Sequence, residues 1–180
     1  MYLVSALTLE LLHDGLDGLQ RIPNGSGFAF SSLSVPEKGF QDISILQQYP
    51  FLRHFSAPGN YILDASPLGK VHALTAADLS NNCLETLAGC HFCTTTPFLQ
   101  LLNFASNQLT SVAGLKCPPT LTLLKLDHNK INALDGIARC CPGLRRLDVN
   151  GNQLSTLAQI SDLPKLEILQ VEFRKTLTRW

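Results

Sequence analysis

The 180-residue chain sets 14 Lys plus Arg against 14 Asp plus Glu, with 45% of its residues apolar and 16% charged. That balance excludes a chain too polar to bury a core. Zero net charge excludes the broad cationic face with which nucleic-acid-binding proteins neutralise phosphates. No apolar run approaches the roughly 20 residues of a membrane-spanning helix, so neither nucleic acid nor membrane is an expected partner.

The first stretch, Met1 to Leu12, lacks a basic start, carries Glu10 and leads to no small-residue cleavage site. It therefore reads as part of the fold rather than as a secretory leader. Residues 1–28 are expected to form a cap segment. Leu7, Leu11 and Leu12 share one helix face, with Ser5 as N-cap and Gly15 as stop. The alternation of Leu7, Leu9 and Leu11 fits a strand nearly as well.

Residues 29–180 are internally repetitive. The clearest copy, Leu121 to Ile131, has apolar residues at its first, fourth, sixth and eleventh positions and Asn129 at its ninth. The pattern L-x-x-L-x-L-x-x-N-x-L is the leucine-rich-repeat signature. Asn60, Asn82, Asn107, Asn129 and Asn152 all hold the ninth position, at spacings of 22, 25, 22 and 23 residues by subtraction. Leu124 and Leu126 alternate on a short strand and point to one face. The Asn that follows is expected to accept a left-handed backbone and to bond main-chain groups of the turn. One repeat cannot bury its apolar edge alone, so about seven copies must stack. The expected fold is an α/β solenoid with a parallel β-sheet on the concave face and short 3₁₀ or helical turns on the convex side. The three extra residues of the fourth repeat are expected as an outer loop over Cys93 to Pro97.

The end copies are irregular. The first puts Lys38 in the Asn place, and the seventh begins at Leu166, Leu169 and Val171 but puts Arg174 there. Leu177 and Trp180 fall one residue out of frame. Either they fold back over the last strand's edge or another protein covers it.

Chemical motifs are sparse. Cys90-His91-Phe92-Cys93 has a C-x₂-C spacing without a second pair at zinc-finger distance. Cys90 also takes the core position held by Leu68 and Leu115. Cys117 and Cys140 both lie four residues before the first position of their repeats, which suggests buried thiols on the outer wall of a cytosolic protein. The vicinal Cys140-Cys141 reads as structural rather than redox-active. His54 and His128 lie on or beside the concave face with no nucleophile between them, and Asp127 and Asp148 read as separate surface acids. Gly15, Gly18, Gly25 and Gly27 lack the strand-then-helix context of a phosphate loop. No catalytic, cofactor or metal site is expected, and the chain reads as non-enzymatic.

Function is then expected on the concave face. The third positions run Ser32, His54, Ala76, Leu101, Leu123, Arg146, Ile168, and the fifth run Ser34, Ser56, Asp78, Asn103, Lys125, Asp148, Gln170. Leu101 and Leu123, beside Ala76 and rimmed by polar residues, suggest a protein-binding patch. The expected contact set is Ala76, Asp78, Leu101, Asn103, Leu123, Lys125, Arg146, Asp148 and Ile168.

The region ahead of the regular repeats is more distinctive. Gly18-Leu19-Gln20-Arg21, the run Asn24 to Ala29, and the stretch Phe40 to Arg53 with its Asp42-Ile43, Leu46 and Tyr49 resemble the leucine-rich-repeat-containing protein 23 family of axonemal radial spokes. The resemblance is continuous from about Leu11 through Ile62, and beyond that only the general repeat pattern carries it. It implies a scaffold subunit of a hetero-complex in the axoneme of cilia and flagella, with other radial spoke proteins as partners and no cofactor. Such proteins can carry a longer C-terminal extension for spoke attachment; here contacts are expected from the concave face, the outer loops or the N-terminal cap. The 22-residue repeat is also that of phosphatase-regulator-like leucine-rich-repeat subunits, so a phosphatase 1 partner or a splicing-type adaptor role are the alternatives.

Overall fold

The computed structural model describes residues 6–22, 25 and 27–172. Helix α1 (Leu9–Gly15) comes first, capped by Thr8, whose hydroxyl accepts from the Leu11 N–H at 3.4 Å. The segment is thus helical rather than extended, and Ser5, the expected cap, lies outside the described residues. Leu7 and Leu12 are buried, and the Leu7 N–H donates to the Asp42 carbonyl at 3.0 Å. Both join the core that the first repeat begins.

Strand β1 (Leu16–Arg21) was not foreseen from the sequence. It pairs antiparallel with β2 (Phe28–Ser34), Leu16 opposite Leu33 and Arg21 opposite Phe28. Gly18 is required inside this hairpin. Its φ is +68°, and a Cβ there would stand 2.4 Å from Ser31 Oγ, which donates to the Gly18 carbonyl at 2.9 Å.

From β2 onward the sheet is parallel: β3 (His54–Ser56), β4 (Ala76–Asp78), β5 (Leu101–Asn103), β6 (Leu123–Lys125), β7 (Arg146–Asp148) and β8 (Ile168–Gln170). Strands adjacent in sequence are adjacent in the eight-stranded sheet. The register never slips: Leu33, Phe55, Ala77, Leu102, Leu124, Leu147 and Leu169 form one row across β2–β8, buried from Leu33 through Leu147. The convex side carries 3₁₀ turns Ser44–Gln48, Ser66–Lys70 and Ala158–Ile160, with single-turn helices α2 (Phe92–Thr95) and α3 (Ile137–Cys140). The expected outer loop over Cys93 to Pro97 is instead largely wound into α2. Phe92 is buried there and its carbonyl accepts from Thr96 Oγ1 at 3.0 Å, so the extra residues extend the wall rather than leave it. Arg174, Leu177 and Trp180 lie outside the described residues.

The Asn ladder stitches successive coils together. Asn129 Nδ2 donates to the carbonyls of Phe104 and Leu126, both at 3.0 Å, while its Oδ1 accepts from the Leu109 N–H at 2.9 Å. Asn82, Asn107 and Asn152 repeat this scheme. Asn60 accepts instead from the N–H groups of both Lys38 and Gly39, which serves the irregular first repeat that lacks an Asn of its own. The expectation of a left-handed Asn is corrected by one residue. Positive φ falls at Glu37, Asn81, Ser106 and His128, and at Gly59 and Gly151, each at the eighth position. The sharp turn is made there, so that the next side chain enters the wall.

Candidate functional site

Two surfaces stand out. The first is the concave strip. Ala76, Leu101 and Leu123 lie directly opposite one another on β4, β5 and β6, each half-buried, and Ile168 at the far edge is 47% exposed. Of the polar residues expected there, several are already committed. Asp78 Oδ1 accepts from Ser80 N–H and Oγ at 2.9 and 2.7 Å, and Asn103 Oδ1 accepts from the Ala105 N–H at 3.1 Å. Both brace the turn that leaves their strand. Asp127 is likewise engaged, accepting from the Asn150 N–H at 3.0 Å.

Asp148 requires correction. It is buried, not a surface acid, and its carboxylate is gripped by Arg146 Nε at 2.9 and 3.1 Å. The burial of one partner makes this a charge-assisted pair that fixes Arg146 and raises the guanidinium's pKa through that hydrogen bond. The Lys125 ammonium makes no hydrogen bond or ion pair among the described residues, so it is the cation of the strip left open to a ligand. It lines a shallow polar basin with Ser80, Asn103, Asp127, His128 and Arg146. His54 and His128 are both exposed, and among the described residues no three His, Cys, Asp or Glu side chains converge as metal ligands.

The second surface was missed in the sequence because it depends on the hairpin. Beyond the first turn of the solenoid, β1 and β2 overhang the strand-start rim. Sheet alternation puts Phe28 and Phe30 on the same face as Ser32, with Leu19 opposite Phe30. On the other side of the overhang the hairpin and the rim enclose a groove of about 420 Å³ lined by Arg21, Ile22, Phe51, Arg53, Ala73 and Phe98, among others. Leu19, Phe28, Phe30, Phe51 and Phe98 are five of the nine exposed large apolar residues described. Exposed apolar residues on both sides of the overhang mark this end of the sheet as an interaction surface.

The thiols form a cluster in the convex wall. All six cysteines are free. Cys90, Cys117 and Cys141 are buried, while Cys140 is only half-buried, so the wall position expected for Cys140 is filled more deeply by its neighbour. Cys117 and Cys141 share a thiol hydrogen bond that pushes the Cys117 pKa up. Burial, reinforced by Asp64, pushes Cys90 from 9.0 to about 12. Such thiols are inert at neutral pH. Because the folded state holds the Cys90 proton more tightly, its contribution is complete below pH 9.0 and is lost as pH rises toward about 12. The urea midpoint is expected to fall between about pH 8 and about pH 10, and by less in Cys90→Val; equal slopes would detach the effect from Cys90.

The family model described as Leucine Rich repeats (2 copies) matches residues 119–165. Over 136 residues, 76% of the chain, 31% of positions are identical to Leucine-rich repeat-containing protein 23 of Homo sapiens, and 30% to that of Bos taurus. The chain has the leucine-rich-repeat fold. The likeness to leucine-rich-repeat-containing protein 23 drawn from the N-terminal motifs is thereby matched, although the chain spans only 38% of the length of those relatives. Among solved structures, an internalin from Listeria monocytogenes superimposes with a TM-score of 0.63 at 22% identity, covering 73% of this chain and 38% of that one. Internalin C2 from the same species gives 0.53 at 22% identity, covering 82% and 75%. These two share the fold of this leucine-rich-repeat chain. The repeats support the reading of a protein-interaction scaffold, and no helix among the described residues is long and apolar enough to cross a membrane.

Proposed function

We propose that this leucine-rich-repeat chain is a non-enzymatic scaffold of the ciliary or flagellar axoneme, a subunit within a radial spoke that binds other spoke proteins. The likeness to leucine-rich-repeat-containing protein 23 over 76% of the chain carries that placement. The strip of Ala76, Leu101, Leu123 and Ile168, with Lys125 beside it, supplies a contact face in this reading, while Asp78, Asn103 and the Arg146–Asp148 pair shape it. Fractionation of flagellated cells that express a tagged copy tests the placement. Retention with detergent-extracted axonemes through a salt wash, and later co-release with spoke proteins, is the expected result. A wholly soluble or nuclear protein would overturn it and point to phosphatase or splicing partners.

The contact face has its own test. Leu101→Glu with Leu123→Glu puts two like charges on neighbouring strands of a half-buried surface. The pair is expected to abolish capture of spoke proteins from an axonemal extract while the thermal midpoint stays within a few degrees of the parent's. Undiminished capture would remove the concave strip from the interface.

A further inference from the structure

The groove beneath the hairpin has a chemistry that the concave strip lacks. Its apolar lining includes Ile22, Ala73 and two phenylalanines, Phe51 and Phe98, left 42% and 60% exposed. Its charged lining consists of Arg21 and Arg53, with no Asp or Glu. Among the described residues neither guanidinium makes a hydrogen bond or an ion pair, whereas Arg145 and Arg146 at the other end of the sheet are each paired with an acid. Open guanidinium groups beside an apolar surface recognise carboxylates through paired N–H donors.

The main chain of this rim is already satisfied. The Arg53 N–H donates to Ser31, the Thr75 N–H to Arg53 and the Gln100 N–H to Thr75, each at 2.8 Å. No strand can be inserted between these strand starts, so recognition along them falls to side chains. Two cations are too few for a nucleic-acid backbone, whose binding grows with each phosphate neutralised. At about 420 Å³ the groove lies near the lower end of ligand-pocket sizes. That volume suits one or two large apolar side chains better than a whole helix laid along it.

We propose that this groove binds an extended peptide segment of a protein partner in which large apolar side chains are flanked by carboxylates. Phe51 and Phe98 receive the apolar side chains, Arg53 pairs with an acid inside the groove, and Arg21, opposite Phe28 on the hairpin, meets an acid at its rim. This site goes beyond the axonemal reading and does not depend on it, since it is assayed on the purified chain alone.

Fluorescence polarisation with three short labelled peptides tests it: one alternating Glu with Leu, one alternating Lys with Leu, and one alternating Glu with Ala. The full chain is expected to bind the Glu/Leu peptide at least about tenfold more tightly than either of the others. Arg21→Glu with Arg53→Glu is expected to reverse the preference between the Glu/Leu and Lys/Leu peptides. Phe51→Ser with Phe98→Ser is expected to bring Glu/Leu binding down to the Glu/Ala level. All four residues are at least partly exposed, and circular dichroism melts verify that both variants stay folded. Equal binding of Glu/Leu and Lys/Leu peptides, an unchanged preference after charge reversal, or no saturable binding of the Glu/Leu peptide would each overturn the proposal.

Discussion

Replacing Phe104 with Ala is expected to lower stability by about 3–5 kcal/mol and the thermal midpoint by roughly 10 °C for a chain of this length. Phe104 is among the largest side chains with no exposure. It holds the sixth position of its repeat, and the coils on either side place Leu79 and Leu126 there, both fully buried. The chain does tolerate a small residue at this position elsewhere: Ala57 is buried two coils earlier. In that coil the volume comes from Phe55 at the fourth position, which is also buried, whereas the fourth position beside Phe104 is Leu102. An alanine at position 104 therefore leaves a layer with no large residue to fill it. The main-chain bonds of Phe104 do not involve its ring. Its N–H donates to the Lys125 carbonyl at 2.9 Å and its carbonyl accepts from Asn107 and Asn129, so the measured loss reports packing. An unchanged midpoint in a circular dichroism melt would contradict the layer described.

The parts of the fold that were legible from sequence are those dictated by repetition. Each ninth-position Asn fixes a register, and once five agree, the facing residues of every strand follow; Leu101 opposite Leu123 is a consequence of counting. The hairpin is not a repeat, and it was lost for that reason. Its signal was present: two segments, Leu16 to Arg21 and Phe28 to Ser34, flank a Gly-rich turn, which is how a hairpin reads. Asp17 and Gly18 inside the first segment are poor strand formers, and the Ser31 hydroxyl bonded to the Gly18 carbonyl holds the glycine in the hairpin. The register aligns Phe51, Ala73 and Phe98, each just before its repeat's first position, but the groove depends on the hairpin, so no reading of the repeats alone would have joined Arg21 to Arg53. Asp148 failed for a different reason. Position decided that it faces the concave side, but burial there was decided by the neighbouring Arg146, and pairing across a strand's two outward residues is invisible to a periodic pattern.

Replacing Asn129 with Ala is expected to cost about 3 kcal/mol, at the upper end for groups left buried and unsatisfied, because several lose their partner together. The Phe104 and Leu126 carbonyls each lose a donor at 3.0 Å, and the Leu109 N–H loses its acceptor at 2.9 Å. Asn129→Asp is expected to be no better, since a carboxylate keeps the acceptor for Leu109 but presents oxygen to two carbonyls. The location of the damage distinguishes a ladder from a generally weakened core. Phe104 and Leu109 belong to the coil before Asn129, so the substitution loosens one junction, and in a stack each coil is held by its nearest neighbours. Hydrogen exchange should therefore show the Leu109 amide losing protection first. The Leu84 amide, held in the same way by Asn107 at 2.9 Å, should keep its protection under conditions where the variant remains folded. Equal loss at Leu84 and Leu109 would mean that the solenoid opens as a single cooperative unit. Protection retained at Leu109 would mean that water or a shifted neighbour replaces the amide, and that the ladder contributes less to the stack than its buried geometry implies.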